Sequence, residues 1–221
     1  MRTASFLLAV LVYSSVLAPI SSPQNSPPGN AAASQTAAGT SPRHDRHDGM
    51  DVAVVAYTDN ELAKEKFGKA NPIPAGILPI EVTLRNETTK PIRVELSTIQ
   101  LEVNNDYGRQ DIDWLSAEQV ADAIAHPNGP PPPQVRRFPV GIPLPSNDKK
   151  TEKLAEILRP LSLDADVIPP MATIHGFLFF NMDHKIFHVE NSSLYIPDVK
   201  FIPSNQPLIF FEVPLGDSSQ H

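Results

Sequence analysis

The sequence predicts a mainly β chain: an antiparallel β-sandwich with a short helical and proline-rich insertion, preceded by an export signal and a disordered tether. Three observations predict it. Proline makes up 24 of 221 residues and glycine only 10, a balance that disfavours a helical bundle because proline breaks helix interiors. Ile80-Glu81-Val82-Thr83-Leu84-Arg85 alternates apolar and polar residues strictly, as a strand with one buried and one wet face does. Phenylalanines 177, 179, 180, 187, 201, 210 and 211 crowd the C-terminal third, in runs apolar on both faces. With no cysteine in the chain, disulfides, thiol catalysis, Cys-ligated zinc and iron–sulfur clusters are all excluded. A hydrophobic core has to hold the fold.

Residues 1–22 have a signal-peptide layout. Arg2 precedes the apolar run Phe6 to Val12, which continues less strictly to Ala18 before Pro19. The run is about 15 residues long, short of the ~20 that span a bilayer. We therefore expect a cleavable signal, no stable membrane insertion after its removal, and a secreted or periplasmic product. Residues 23–49 contain no Val, Ile, Leu, Met, Phe, Tyr or Trp, so they cannot bury enough apolar area to offset their ordering entropy and read as a disordered linker. Within it, Arg43-His44-Asp45-Arg46-His47-Asp48 offers metal-binding side-chain types. The two arginines oppose a cation, and the segment reads as a solvated spacer.

The folded domain is expected over residues 50–216. Asp51 to Tyr57 reads as its first strand. Thr58 or Asp59 caps a short helix, Asn60 to Phe67, closed by Gly68. Ile80–Arg85 and Ile92–Leu96 flank the polar turn Asn86–Lys90, the pattern of an antiparallel hairpin. The apolar positions then change parity, from Ile92, Val94 and Leu96 to Ile99, Leu101 and Val103, which asks for a β-bulge near Ser97-Thr98.

Residues 104–165 read as the insertion. Ser116 and Gln119 form a capping box for a helix carrying Val120, Ala121 and Ile124 on one face. A second helix covers Thr151 to Arg159, with Leu154, Ile157 and Leu158 as its stripe. Between them, residues 127–145 hold eight prolines, including Pro130 to Pro133, which favours polyproline II and a stiff loop over a docking ligand. Strands apolar on both faces need a cover on the outer one. We expect Leu178, Phe180, Leu208 and Phe210 in one layer, with Phe177, Phe179, Ile209 and Phe211 in the other. The helical insertion, chiefly Val120, Ile124, Leu154 and Leu158, is expected to be the cover. Ile186–Val189, Ser193–Ile196 and Val199–Ile202 read as further strands.

The elements Phe67-Gly68-Lys69, Ala75 to Ile80, Asn86, Ile168-Pro169-Pro170, Gly176-Phe177 and Phe210 to Leu215 together resemble a family of uncharacterised exported bacterial proteins with an immunoglobulin-like β-sandwich. They span most of residues 50–215. The resemblance implies export and an immunoglobulin-like sandwich, and it implies no catalytic residues.

Local patterns that carry chemistry are absent: no nucleophile elbow, P-loop, dinucleotide fingerprint, EF-hand loop or HExxH helix occurs. A net charge of -7 argues against a phosphate-binding surface, so nucleic acid is set aside. The remaining constellation is His175, Asp183, His184, His188 and Glu190, of which His175, His184, His188 and Glu190 are the candidate metal ligands. Hydrogen-bonded surface histidines explain it more simply. The pairs Asp111/Asp113 and Asp164/Asp166 read as acidic loops. Asn86-Glu87-Thr88 and Asn191-Ser192-Ser193 match the glycan acceptor pattern, and Asn86 is better explained as a turn residue.

The expectation is thus a non-catalytic exported β-sandwich without a cofactor, binding another exported or envelope protein. The alternative is a periplasmic metal-binding protein or metal-dependent hydrolase built on the histidine cluster.

Overall fold

In the computed structural model, residues 41–105, 108–127, 129 and 148–216 are described, all within the unit Thr36–His221. The expected signal peptide, most of the tether and nearly all of the proline-rich segment lie outside them. The strands are β1 Arg43–His47, β2 Met50–Ala56, β3 Ile77–Asn86, β4 Ile92–Val94, β5 Gln100–Asn105, β6 Gly108–Leu115, β7 Val167–Ile168, β8 Thr173–Asn181, β9 Ser192–Ile196, β10 Val199–Phe201 and β11 Phe211–Pro214. The helices are α1 Asn60–Phe67, α2 Ala117–Ala125 and α3 Lys149–Leu158.

The chain is mainly β and its ladders are antiparallel, as the sequence predicts. Eight strands form one sheet in the order β1-β2-β3-β8-β6-β5-β9-β11, and β10-β4-β7 form a second. The large sheet curls until its first and last strands meet, where the Glu212 N–H donates to Asp45 Oδ2 at 3.0 Å. Inward residues of both sheets share one core: Val52, Ile80, Leu84, Leu101, Leu178, Phe180, Leu194 and Phe211 from the large sheet, with Ile92, Val94, Ile168 and Val199 from the small one.

The outer face of β3 and β8 is covered by the helices, as expected. Phe177, Phe179 and Ile77 form a second cluster with Val120 and Ala121 of α2 and with Leu154 and Leu158 of α3. Ile124 packs against its edge. The first helix joins this cover, which the sequence reading did not assign to it: Phe67 meets Phe177 and Phe179 edge-on, with centroids 4.8 and 5.8 Å apart. Each cap follows from the sequence. Asp59 accepts from the N–H groups of Glu61 and Leu62, and Ser116 and Gln119 make the reciprocal box. Asp148 starts α3 two residues earlier than Thr151.

Several expectations are corrected. The linker does not extend to residue 49: Arg43–His47 is a strand paired in register with Met50–Val54. The Asp48-Gly49 turn, with φ of 50° and 77°, favours this hairpin, and an edge strand does not require apolar side chains to pair. Ile80–Arg85 and Ile92–Val94 do not form a hairpin. The first run, in β3, pairs with β2 and β8, and the second, β4, with β10 and β7.

At the junction stands Asn86, fully buried, whose Nδ2 shares its two hydrogens among the carbonyls of Lys90, Ile168 and Pro169 while its Oδ1 accepts from Thr88. These bonds tie the β3–β4 loop to the chain entering β8, and β4 continues in the other sheet. The parity change after Leu96 is absorbed by a 3-10 turn, Leu96–Thr98, between two sheets that face the same core, in place of a bulge. Ile186–Asn191 is a 3-10 segment, not a strand. Leu208 to Phe210 precede the last strand, and Phe211 faces the shared core rather than the helix side.

Candidate interaction surface

The residues that sequence reasoning offered as metal ligands do not converge. His175 lies on β8 opposite Thr83, and Asn181 of the same strand lies opposite Ile77. Those six residues of extended chain separate His175 from the following turn by about 20 Å. His184 sits in that turn at φ 63°, against Gly76. His188 belongs to the 3-10 segment and its ring packs on Phe187, while Glu190 is exposed. Among the described residues, no group of three or more His, Asp or Glu is placed to hold a metal ion.

The Arg43–Asp48 segment has a different task. In β1, Asp45 and His47 stand opposite the buried Val52 and Met50 and so point to the inner side. Asp45 accepts from the Glu212 N–H, His47 Nε2 lies 3.2 Å from the Phe210 carbonyl oxygen, and the imidazole stacks on Phe211. Side chains of one edge strand thus meet the backbone edge of the other. On the outer side, His44 pairs with Asp51 at 3.1 Å and Arg46 with Glu87.

Beside this seam is an apolar ridge. Ile209 is 61% and Phe210 48% exposed, and the Phe210 ring leans on Tyr195 of β9 with centroids 5.5 Å apart. Ile209 also lines a shallow groove with Asp48, Phe201, Gln206, Pro207 and Leu208. Sequence reasoning missed the ridge because it placed Leu208–Phe211 inside one strand.

On the outer face of β5, β6, β9 and β11 near the ridge, Asp111, Glu212 and Pro214 are exposed, Asp113 and Tyr195 half-buried and Glu102 buried. Register fixes its composition: Asp113, Gln100, Tyr195 and Glu212 form one row across the four strands, and Asp111, Glu102, Ser193 and Pro214 form the next. Arg109 binds Glu102 and lies 3.2 Å from Asp111. Gln100 donates to Asp113 at 2.9 Å. Among the described residues no cation pairs with Asp113 or Glu212. Burial, at 4% exposure, pushes the Glu102 carboxyl up; Arg109 opposes that, and the carboxylates of Glu212 and Asp111 add to it. The signal for this face was in the sequence as Asp111-x-Asp113, since alternate residues of a strand share a face. The remaining pair is less notable: Asp166 lies 3.8 Å from Arg93.

A second polar group clamps α1 to the sheet. Tyr57 donates to Glu81 at 3.0 Å, Lys66 lies 3.6 Å from Glu81, and the Lys66 ammonium sits 5.2 Å over the Phe177 ring. Burial, then the Glu81 carboxylate, push the Tyr57 hydroxyl well above its usual range. Its partners all belong to the fold.

Compared with known proteins, the chain matches no family model, and no curated protein or solved structure matches it. Among the described residues no helix is long and apolar enough to cross a membrane.

Proposed function

We propose that the chain is an exported, non-catalytic binding module that takes a protein partner, itself exported or part of the envelope, on the ridge formed by Tyr195, Ile209 and Phe210. The observation that carries this reading is the exposure of adjacent Ile209 and Phe210 in a domain that covers Phe177 and Phe179 with three helices. Contiguous apolar surface of this kind marks interaction sites more often than isolated exposed residues do. Export is supported by Arg2, the short apolar run that follows it and the polar segment after that. An immunoglobulin-like sandwich in a secreted or periplasmic protein is the form the resemblance suggests, and two antiparallel sheets around one core are compatible with it.

The test compares capture from an envelope extract by the unmutated protein and by Phe210→Asp, after circular dichroism and urea unfolding show that the variant folds normally. A partner retained by the first and lost by the second supports the reading, and identical captured sets overturn it. Intact mass after expression in a bacterium tests export: loss of about the first 22 residues is expected, and recovery of full-length protein only from detergent-extracted membranes overturns it.

A further inference from the structure

Resting on that reading, we propose that the partner is basic, meeting the ridge of Tyr195 and Phe210 with an apolar side chain and the adjoining sheet face with two or more Lys or Arg side chains. The charge pattern selects this occupant. On the outer rows of β6, β5, β9 and β11 stand Asp111, Asp113, Glu102 and Glu212, with Arg109 as the lone cation, and that cation already serves Glu102 and Asp111.

Like charges left on one face repel. At Glu102, burial raises the carboxyl first, and the Glu212 and Asp111 carboxylates add their repulsion. A second acidic surface would add to that repulsion, and a wholly apolar partner would have to desolvate the charges of Asp113, held by the neutral Gln100 amide alone, and of Glu212. Cationic side chains remove the repulsion and keep both carboxylates paired.

Aromatic and acidic groups also recognise the same ligand. Tyr195 is the row neighbour of Glu212, so a cation drawn to that carboxylate can rest on the Tyr195 ring. Asp111 and Asp113 lie about 7 Å apart along their strand, the repeat of alternate side chains in an extended chain, and Asp113 and Glu212 about 14 Å apart across the sheet. The footprint suits a short basic segment rather than a single small cation.

Fluorescence anisotropy of the purified protein with a labelled synthetic peptide alternating lysine with valine tests the inference, with the glutamate–valine peptide as comparison. The expected result is saturable binding of the lysine peptide and none of the glutamate peptide. The double variant Asp113→Asn/Glu212→Gln should bind about tenfold more weakly at low salt. Raising salt from about 0.02 to 0.5 M should shorten electrostatic reach and remove most of that difference. Neutralising Glu61 and Glu65 on α1 instead should leave binding unchanged.

Equal binding of both peptides, no binding of the lysine peptide, or equal weakening by the α1 variant overturns the inference. Ridge-dependent self-association in sedimentation assigns the surface to a second copy of the chain and also overturns it. If the lysine peptide fails while Phe210→Asp still loses a captured envelope partner, the binding-module reading stands and only the basic partner falls.

Discussion

The His47 imidazole lies flat on the Phe211 ring, with centroids 3.9 Å apart and planes 9° from parallel. Phe211 is fully buried, so this histidine forms part of the core's roof where β1 meets β11. A segment with no large apolar residue thereby closes a hydrophobic core. It does so with an imidazole face and two hydrogen-bonding side chains.

A chain that begins at Met50 should therefore be less stable than one that keeps residues 43–49. The expected loss is about 2 kcal/mol, the scale of exposing one large apolar side chain, with His47→Ala accounting for about 1 kcal/mol of it. Urea unfolding measures both. An unchanged midpoint for the Met50 start would return the segment to the role of a spacer.

Leu158 is fully buried between α3 and the sheet. Leu158→Ala should cost about 2 to 4 kcal/mol, as large-to-small changes at buried sites do. A cost below about 0.5 kcal/mol, the usual range for surface changes, would show that the helices do not seal Phe177 and Phe179.

Asn86→Ala removes the amide shared by the carbonyls of Lys90, Ile168 and Pro169 and the oxygen that accepts from Thr88; Lys90 keeps the Thr88 hydroxyl and Pro169 the Ala172 N–H as donors. The expected cost is about 1 to 3 kcal/mol, the scale of removing one partner of a buried hydrogen-bonded group. Retention of the parent midpoint would show that the loop does not depend on this side chain. The same burial predicts that in a glycosylating host Asn86 carries no glycan, which mass spectrometry of its peptide checks.

Two carboxyls give opposite pH dependence. The folded-state value of Glu102 is raised above 4.5 by burial, so the stability it contributes is full below that value and is lost as pH rises through the folded one. For Glu118, burial alone would raise the value, but Arg159, 2.7 Å away, leads the bonds that lower it below 4.5. The stability from Glu118 is present above 4.5 and is lost as pH falls through its folded value. Urea midpoints across pH should show Glu102→Gln removing a loss on the alkaline side and Glu118→Gln removing one on the acid side. Parallel profiles for both variants would contradict the assignment.

Gly176 marks where the chain after α3 crosses the sheet: a Cβ there would approach the Leu163 backbone to 2.6 Å. Gly176→Ala should lower stability by about 1 to 3 kcal/mol through this overpacking, measured in the same urea assay. An unchanged midpoint would mean that the crossing segment yields freely.

Local pattern made much of this protein legible. Alternation at Ile80–Arg85 marks β3, Asp59 and Ser116 cap their helices, and the two-faced apolar run at Phe177–Phe180 implies a cover that the insertion supplies. These features were readable because each depends on neighbours within a few residues. What tertiary structure decided was pairing. Alternation says that a strand has a buried face but not which strand lies beside it, so β3 and β4 looked like a hairpin until the buried Asn86 amide tied their loop to Pro169. Composition made Arg43–Asp48 look like tether, because a strand that seals an edge through hydrogen bonds and one stacked ring carries no apolar signature. The ridge was hidden, and of the acidic face only the Asp111-x-Asp113 pair was legible, since the full row arises only when register aligns Glu212 with Tyr195 and Asp113 with Gln100, residues distant in the chain that the ladder brings together.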